Sequence, residues 1–375
     1  MALLNLPEAR LRERTSLKWR TFDADVLPLW VAEMDVEQHP AVQEALVDAI
    51  RRGDTGYPHG TAYAEAYAAM AEHRWGWRPA PEQIRRSGDV MNSMLALLVG
   101  NTAEGDHVVI NPPVYPPFWQ IVTGYRRHLT EVALTPAGRL DLPAIEAALD
   151  GPDDPSAYLL CSPHNPTGTI HTADELGALA TACAERGVVL IVDEIHAPLI
   201  DPGNEFVPVL SVPAAQRAIV TFSAGKGWNL AALKGGVMLR GTEAAGVFDK
   251  LPPLANQSTG HLATIAHTAA LTHAQDWVDQ LMTEVAANKQ LLVDLLAADL
   301  PGVTYRPGPA TYLAWLDCSA LGLAHPRNHF LTRGKVALNG GADFGAAFGQ
   351  FVRMNLAASP ELITRAVQRM AASLA

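Results

Sequence analysis

The runs "HVVI" (107–110), "AYLLCSP" (157–163), "GVVLIVDE" (187–194), "AIVTFSAG" (218–225) and "GGVMLRG" (235–241) are almost wholly apolar and short. Each is too brief for an ordinary helix and reads as a buried strand. Amphipathic segments lie between several of them. That alternation predicts an α/β fold with a mostly parallel central sheet.

The intervening segments carry helix signals. In "HTADELGALATACAERG" (171–187), Thr172 and Glu175 form a capping-box pair and Gly187 stops the helix. "PAVQEALVDAIRRG" (40–53) places Pro40 in a first turn, Gly53 at the stop, and Val42, Leu46 and Ala49 on one face. Beyond residue 275 a long helical pattern aligns Trp277, Leu281, Val285, Leu292 and Leu296. A strand pair, "TYLAWLD" (311–317) and "FVRMNLA" (351–357), and a helix from Ser359 follow. The expected division is a large sheet domain over 45–275 and a smaller α+β domain built from 1–44 and 276–375.

At 375 residues, the chain is long enough for two such domains at roughly 150 residues each. Its net charge of −11 argues against a nucleic-acid partner, since a phosphate backbone needs a basic face. Cys161, Cys183 and Cys318 are too few and scattered for a disulfide framework, and fit a reducing compartment. His164, His171 and His196 have no recognisable metal-ligand spacing. No uncharged apolar run approaches a membrane span, and charges follow the N-terminal apolar stretch at once, so a cytoplasmic protein is expected.

In parallel α/β sheets, ligands sit beyond the carboxyl ends of the strands. There the sequence delivers "SPHNPTG" (162–168), "DEIHAPL" (193–199) and "SAGKG" (223–227). An amide, a carboxylate, an imidazole and an amine thus share one sheet edge. Asp193 ends a wholly apolar strand, where an unpaired carboxylate is costly to bury. Lys226 stands between two glycines at a strand end, an unusual place for a solubilising lysine. Arg353, in the apolar "FVRMNL", needs a partner if buried.

"HNPTG", "DEIH" and S-x-x-K, in that order, resemble the aspartate-aminotransferase fold of pyridoxal-phosphate (PLP) enzymes. With "LPLWVAEMD" (27–35), "PVYPPF" (113–118), "TYLAWLD" and "FVRMNLA", the chain resembles the cystathionine β-lyase or C–S lyase branch, from about residue 16 to 357. The resemblance implies that Lys226 carries the cofactor aldehyde and acts as acid and base, and that Asp193 pairs with the pyridine nitrogen. It implies Asn165 at the ring hydroxyl and the substrate, Tyr115 stacked on the ring, and His196 beside it. For the phosphate it implies Ser223, Lys234, the helix start with Val90 and Met91, and Tyr57 reaching from the partner subunit of a homodimer. Arg353 is implied as the clamp on the substrate α-carboxylate, with Trp30 to Asp35 lining the substrate side. Gly225 and Gly227 depart from the family pattern and are expected to loosen the backbone around Lys226. Glu33 replaces the family's aspartate.

Three functions stay open. His196, where aminotransferases of this fold commonly carry tyrosine, and "LPLWVAEMD" favour β-elimination from L-cystathionine or a related L-cysteine S-conjugate. An aminotransferase for an aromatic or small neutral amino acid is the alternative. A PLP-bound regulatory binding protein is the third, opposed by the intact Lys226, Asp193, Asn165 and Arg353.

Overall fold

The computed structural model describes residues 2–252, 255 and 258–375. Its largest sheet has seven strands: β2 (Ile84–Ser87), β3 (His107–Ile110), β4 (His128–Glu131), β5 (Ala157–Cys161), β6 (Val189–Asp193), β7 (Ile219–Phe222) and β8 (Gly236–Arg240). Their spatial order is β2-β8-β7-β6-β5-β3-β4. All neighbours from β7 to β4 are parallel. Every residue of β5 and β7 is buried, which is why those runs are continuously apolar instead of alternating.

Two departures matter for the site. β8 runs antiparallel to β7, and β2 runs antiparallel to β8, with Ser87 opposite Gly236. β2 therefore points the same way as the parallel strands and delivers its end to the same edge. Its sequence, "IRRS", has no apolar run to announce a strand, because this edge position is only partly buried.

The helix Ala173–Glu185 has the expected capping box: Thr172 Oγ1 accepts from Glu175 N–H at 3.2 Å, and Glu175 Oε2 accepts from Thr172 N–H at 2.8 Å. The helix Gln275–Asp299 buries the expected stripe of Trp277, Leu281, Val285, Leu292 and Leu296. A second sheet, all antiparallel, orders β12 (Asn339–Gly340), β13 (Phe351–Asn355), β10 (Leu313–Asp317) and β9 (Thr304–Tyr305). Arg353 thus sits on an interior strand, directly opposite Trp315. The segment β1 (Leu27–Pro28) pairs in parallel with β11 (Val336–Ala337), tying the N-terminal stretch to this second unit. All three cysteines are free and buried. Among the described residues, no helix is long and apolar enough to cross a membrane.

Candidate active site

Four strands deliver their ends to one edge of the large sheet. β5 leads into the loop holding Asn165, β6 ends on Asp193, and β7 leads through Ser223 to Lys226. β2 leads to Asp89 and the helix Val90–Asn101. With Trp30, Val31 and Ala32 and with Asn339 and Arg353 from the second sheet, they line a cavity of about 380 Å³. Val90, Met91, Tyr115, His196 and Lys234 also line it. Tyr57, anticipated as a phosphate contact, lies elsewhere, 98% exposed on the surface of the chain.

The charged groups in the cavity are poised unusually. Lys226 Nζ donates to the Ala32 carbonyl at 2.8 Å. Burial, reinforced by the nearby Arg353 cation, pushes its pKa down to about 8. A neutral amine is therefore accessible near physiological pH, as a nucleophile or base requires. In the cofactor-free protein, an amine-selective reagent is expected to label Lys226 with a midpoint near pH 8, well below the ordinary lysine range. Peptide mapping across a pH series checks this.

Asp193 is buried, and its Oδ1 accepts a single hydrogen bond, from Ile195 N–H at 2.9 Å. Burial raises its pKa to about 7 against the opposing pull of that bond and of Lys226. Such a carboxylate is a ready partner for a cationic N–H group. Arg353 is buried as well. Nη1 donates to Asn165 Oδ1 at 3.0 Å and Nη2 to the Trp30 carbonyl at 3.2 Å, while its guanidinium lies 4.9 Å over the Phe344 ring. All these partners are neutral, so the buried cation has capacity for a carboxylate in a two-pronged fork. Burial lowers its pKa to about 10.

Since Asn165 Oδ1 accepts from Arg353, its amide nitrogen is left to donate elsewhere. The His196 ring is buried with Nδ1 unpartnered, and burial, then Lys226 and Arg353, holds its pKa near 3, so it is neutral. Ser223 Oγ donates to the Gly235 carbonyl at 2.7 Å and accepts from Gly225 N–H at 3.1 Å.

At the far end, Lys234 Nζ lies 3.1 Å from Asp89 Oδ2. Asp89 also caps the helix Val90–Asn101 by accepting from Asn92 N–H at 2.8 Å. Asn92 is occupied by the cap, and the first-turn donors remaining are those of Val90 and Met91.

The substrate-side stretch is corrected. Trp30, Val31 and Ala32 line the cavity, but Glu33 and Asp35 do not. The Glu33 carboxylate accepts from Ser16, and Asp35 forms a buried pair with Lys18 at 2.7 Å. Gly225 and Gly227 do not adopt positive φ. A Cβ at Gly225 would stand 3.2 Å from Ser223 Oγ, a tight approach, whereas at Gly227 it would make only ordinary contact with Pro198, and nothing in the structure explains that glycine.

Three contributors had no legible signal. The Ala32 carbonyl is backbone, the Asp89–Lys234 contact spans distant segments, and Tyr312, just before β10, donates to the Ala32 carbonyl at 3.3 Å.

The family model for aminotransferase class I and II matches residues 24–370. A Mycobacterium leprae protein provisionally named a cystathionine β-lyase is 43% identical, over 97% of this chain and 96% of its own. The cystathionine β-lyase of Corynebacterium glutamicum is 33% identical, over 99% of this chain and 100% of its own. A crystal structure from Corynebacterium diphtheriae, provisionally named a PLP-dependent β-cystathionase, superposes with a TM-score of 0.93 at 30% identity, covering 100% of this chain and 99% of that one. By that match across nearly its whole length, the chain belongs to the class I and II aminotransferase family, with an aspartate-aminotransferase-like fold.

Proposed function

We propose that the protein is a PLP-dependent C–S β-lyase that cleaves L-cystathionine or a related L-cysteine S-conjugate to a thiol, pyruvate and ammonia. The observation that carries this reading is the meeting of Lys226, Asp193 and Arg353 in one cavity. Relatives named cystathionine β-lyase support the substrate class.

The donor set fits PLP. Asp193 is a buried carboxylate without a charged hydrogen-bond partner, His196 Nδ1 is unsatisfied, and Lys234 and a helix start form a cup for an anion. Bound there, PLP supplies a cationic ring that accepts the electron pair left at a substrate Cα. Asp193 would hold the proton of the ring nitrogen, Tyr115 would pack on the ring, and Asn165 and His196 would serve its hydroxyl. Lys234 and the N–H groups of Val90 and Met91 would hold the phosphate, and Ser223 would join them only by redirecting the hydrogen it gives to the Gly235 carbonyl. Arg353, with Trp30 and Asn165 beside it, clamps the substrate carboxylate. Lys226 takes the Cα proton. The thiolate then departs from Cβ, and water converts the remaining enamine to pyruvate and ammonia.

Incubation of the PLP-loaded protein with L-cystathionine is expected to release thiol, pyruvate and ammonia in equal amounts. Amino transfer to an added keto acid, with no thiol released, would instead make it an aminotransferase.

Tyr57, so exposed in one chain, supports a homodimer in which it reaches the partner subunit's phosphate site. Light scattering should give about twice the chain mass of 40.2 kDa, and an active monomer would end this claim. Free, buried cysteines support a cytoplasmic location.

A further inference from the structure

The segment that carries Lys226 is pinned from beneath by two buried side chains outside the cavity lining. Tyr63, on the helix Ala62–Trp75, and His267, on the helix His261–His273, are both fully buried. His267 Nε2 lies 2.9 Å from the Leu233 carbonyl, which only accepts, so Nε2 carries the hydrogen. Burial lowers the pKa of His267 to about 4, so the ring is neutral and Nδ1 is an acceptor. Tyr63 Oη, 3.0 Å from Nδ1, must then donate to it. The same oxygen accepts from Ala224 N–H at 3.5 Å.

The chain of donors is thus continuous: Ala224 N–H to Tyr63, Tyr63 to His267, His267 to Leu233. Its two ends are backbone groups of one segment, two residues before Lys226 and one residue before Lys234. A second clasp, Ser223 Oγ to the Gly235 carbonyl, closes the same segment one step further out. The two ends of the loop, at Ala224 and Leu233, cannot part without breaking one of these hydrogen bonds, buried at Ala224 and part-buried at Leu233. The His261–His273 helix also packs on Gly235, where a Cβ would stand 3.2 Å from Ala263 and in ordinary contact with the His267 ring.

We infer that Tyr63 and His267 are positioning residues that hold the Ala224–Leu233 segment in the one conformation in which Lys226 and Lys234 face the cavity together. Neither lines the cavity. Their effect is on the spacing of two amines, one for an aldehyde and one for an anion. This inference rests on the reading of the cavity as a PLP site.

The test is the equilibrium affinity of the full chain for PLP, followed by absorbance after the cofactor has been stripped. Tyr63→Phe and His267→Leu are each expected to weaken binding about tenfold, the scale of one lost buried hydrogen bond. The double variant should be no weaker than either single one within about twofold, because breaking the chain at any point frees the segment. His267→Gln, whose amide can both donate to Leu233 and accept from Tyr63, should recover most of the affinity. Variants with lowered melting temperature but wild-type PLP affinity, or losses that multiply in the double variant, would overturn the inference and leave the pair as packing. Failure of the wild-type chain to bind PLP would instead remove the underlying reading.

Discussion

Lys226→Ala is expected to lower turnover by at least about 10³-fold, near the upper end of what a single acid–base group supplies. On the proposed reading, the substitution removes the amine that would receive the Cα proton beside Arg353 and would anchor the cofactor covalently. Folding should be spared. Lys226 makes one hydrogen bond, to the Ala32 carbonyl, and Tyr312 still donates to that oxygen at 3.3 Å. Losing a cation whose burial is unfavourable costs the fold little, so the melting temperature of the cofactor-free protein should not fall. Added methylamine should restore part of the activity by replacing the missing base. Turnover above about a tenth of wild type would exclude Lys226 as the proton acceptor.

Asp193→Asn separates function from stability in opposite directions. The amide oxygen can still accept from Ile195 N–H, so the local structure is kept. It carries no charge, however, and cannot hold a ring nitrogen protonated. A loss of about 10²–10³-fold in kcat is expected, the usual scale for removing one preorganised electrostatic group. Stability should move the other way in the cofactor-free protein. The folded-state pKa is raised to about 7, so from the ordinary carboxylate range up to pH 7 the folded chain holds a proton that the unfolded chain has lost. Stability therefore falls as pH rises through that window, and above it Asp193 is a net penalty. Asparagine removes the penalty. The variant should melt higher than wild type at pH 8, with the difference fading as pH falls from about 7 towards 4. Equal melting temperatures at pH 8 would mean that Asp193 is not strained by its burial. Sites built for chemistry commonly show this exchange of stability for activity.

Much of the site was legible because its chemistry is carried by side chains at strand ends. Asp193 after "VLIV" and Lys226 between glycines announce themselves locally, and Arg353 stands out in an apolar strand. The unannounced parts depend on where distant segments meet. The strand "IRRS" is a half-buried edge without an apolar pattern, yet it brings Asp89 and the helix Val90–Asn101 to the cavity. Its direction follows from pairing with β8, whose own reversal no local residue declares. The roles of Glu33 and Asp35 were misjudged for the same reason. Adjacent to lining residues in sequence, they turn instead to Ser16 and Lys18: half-buried Glu33 meets the Ser16 hydroxyl, and buried Asp35 goes where a cation is fixed. The link from Tyr63 to His267 spans 204 residues and is invisible until the helices are packed.

The reaction itself is tested most directly by counting turnovers on an L-cysteine thioether with no keto acid present. A β-lyase regenerates its starting state after each cleavage and needs no second substrate. An aminotransferase retains the amino group of the first substrate and stops after one equivalent until a keto acid removes it. Pyruvate and thiol are expected to accumulate in equal amounts, far beyond the enzyme concentration. A single equivalent of substrate consumed, with no thiol released and activity resumed on adding a keto acid, would contradict it.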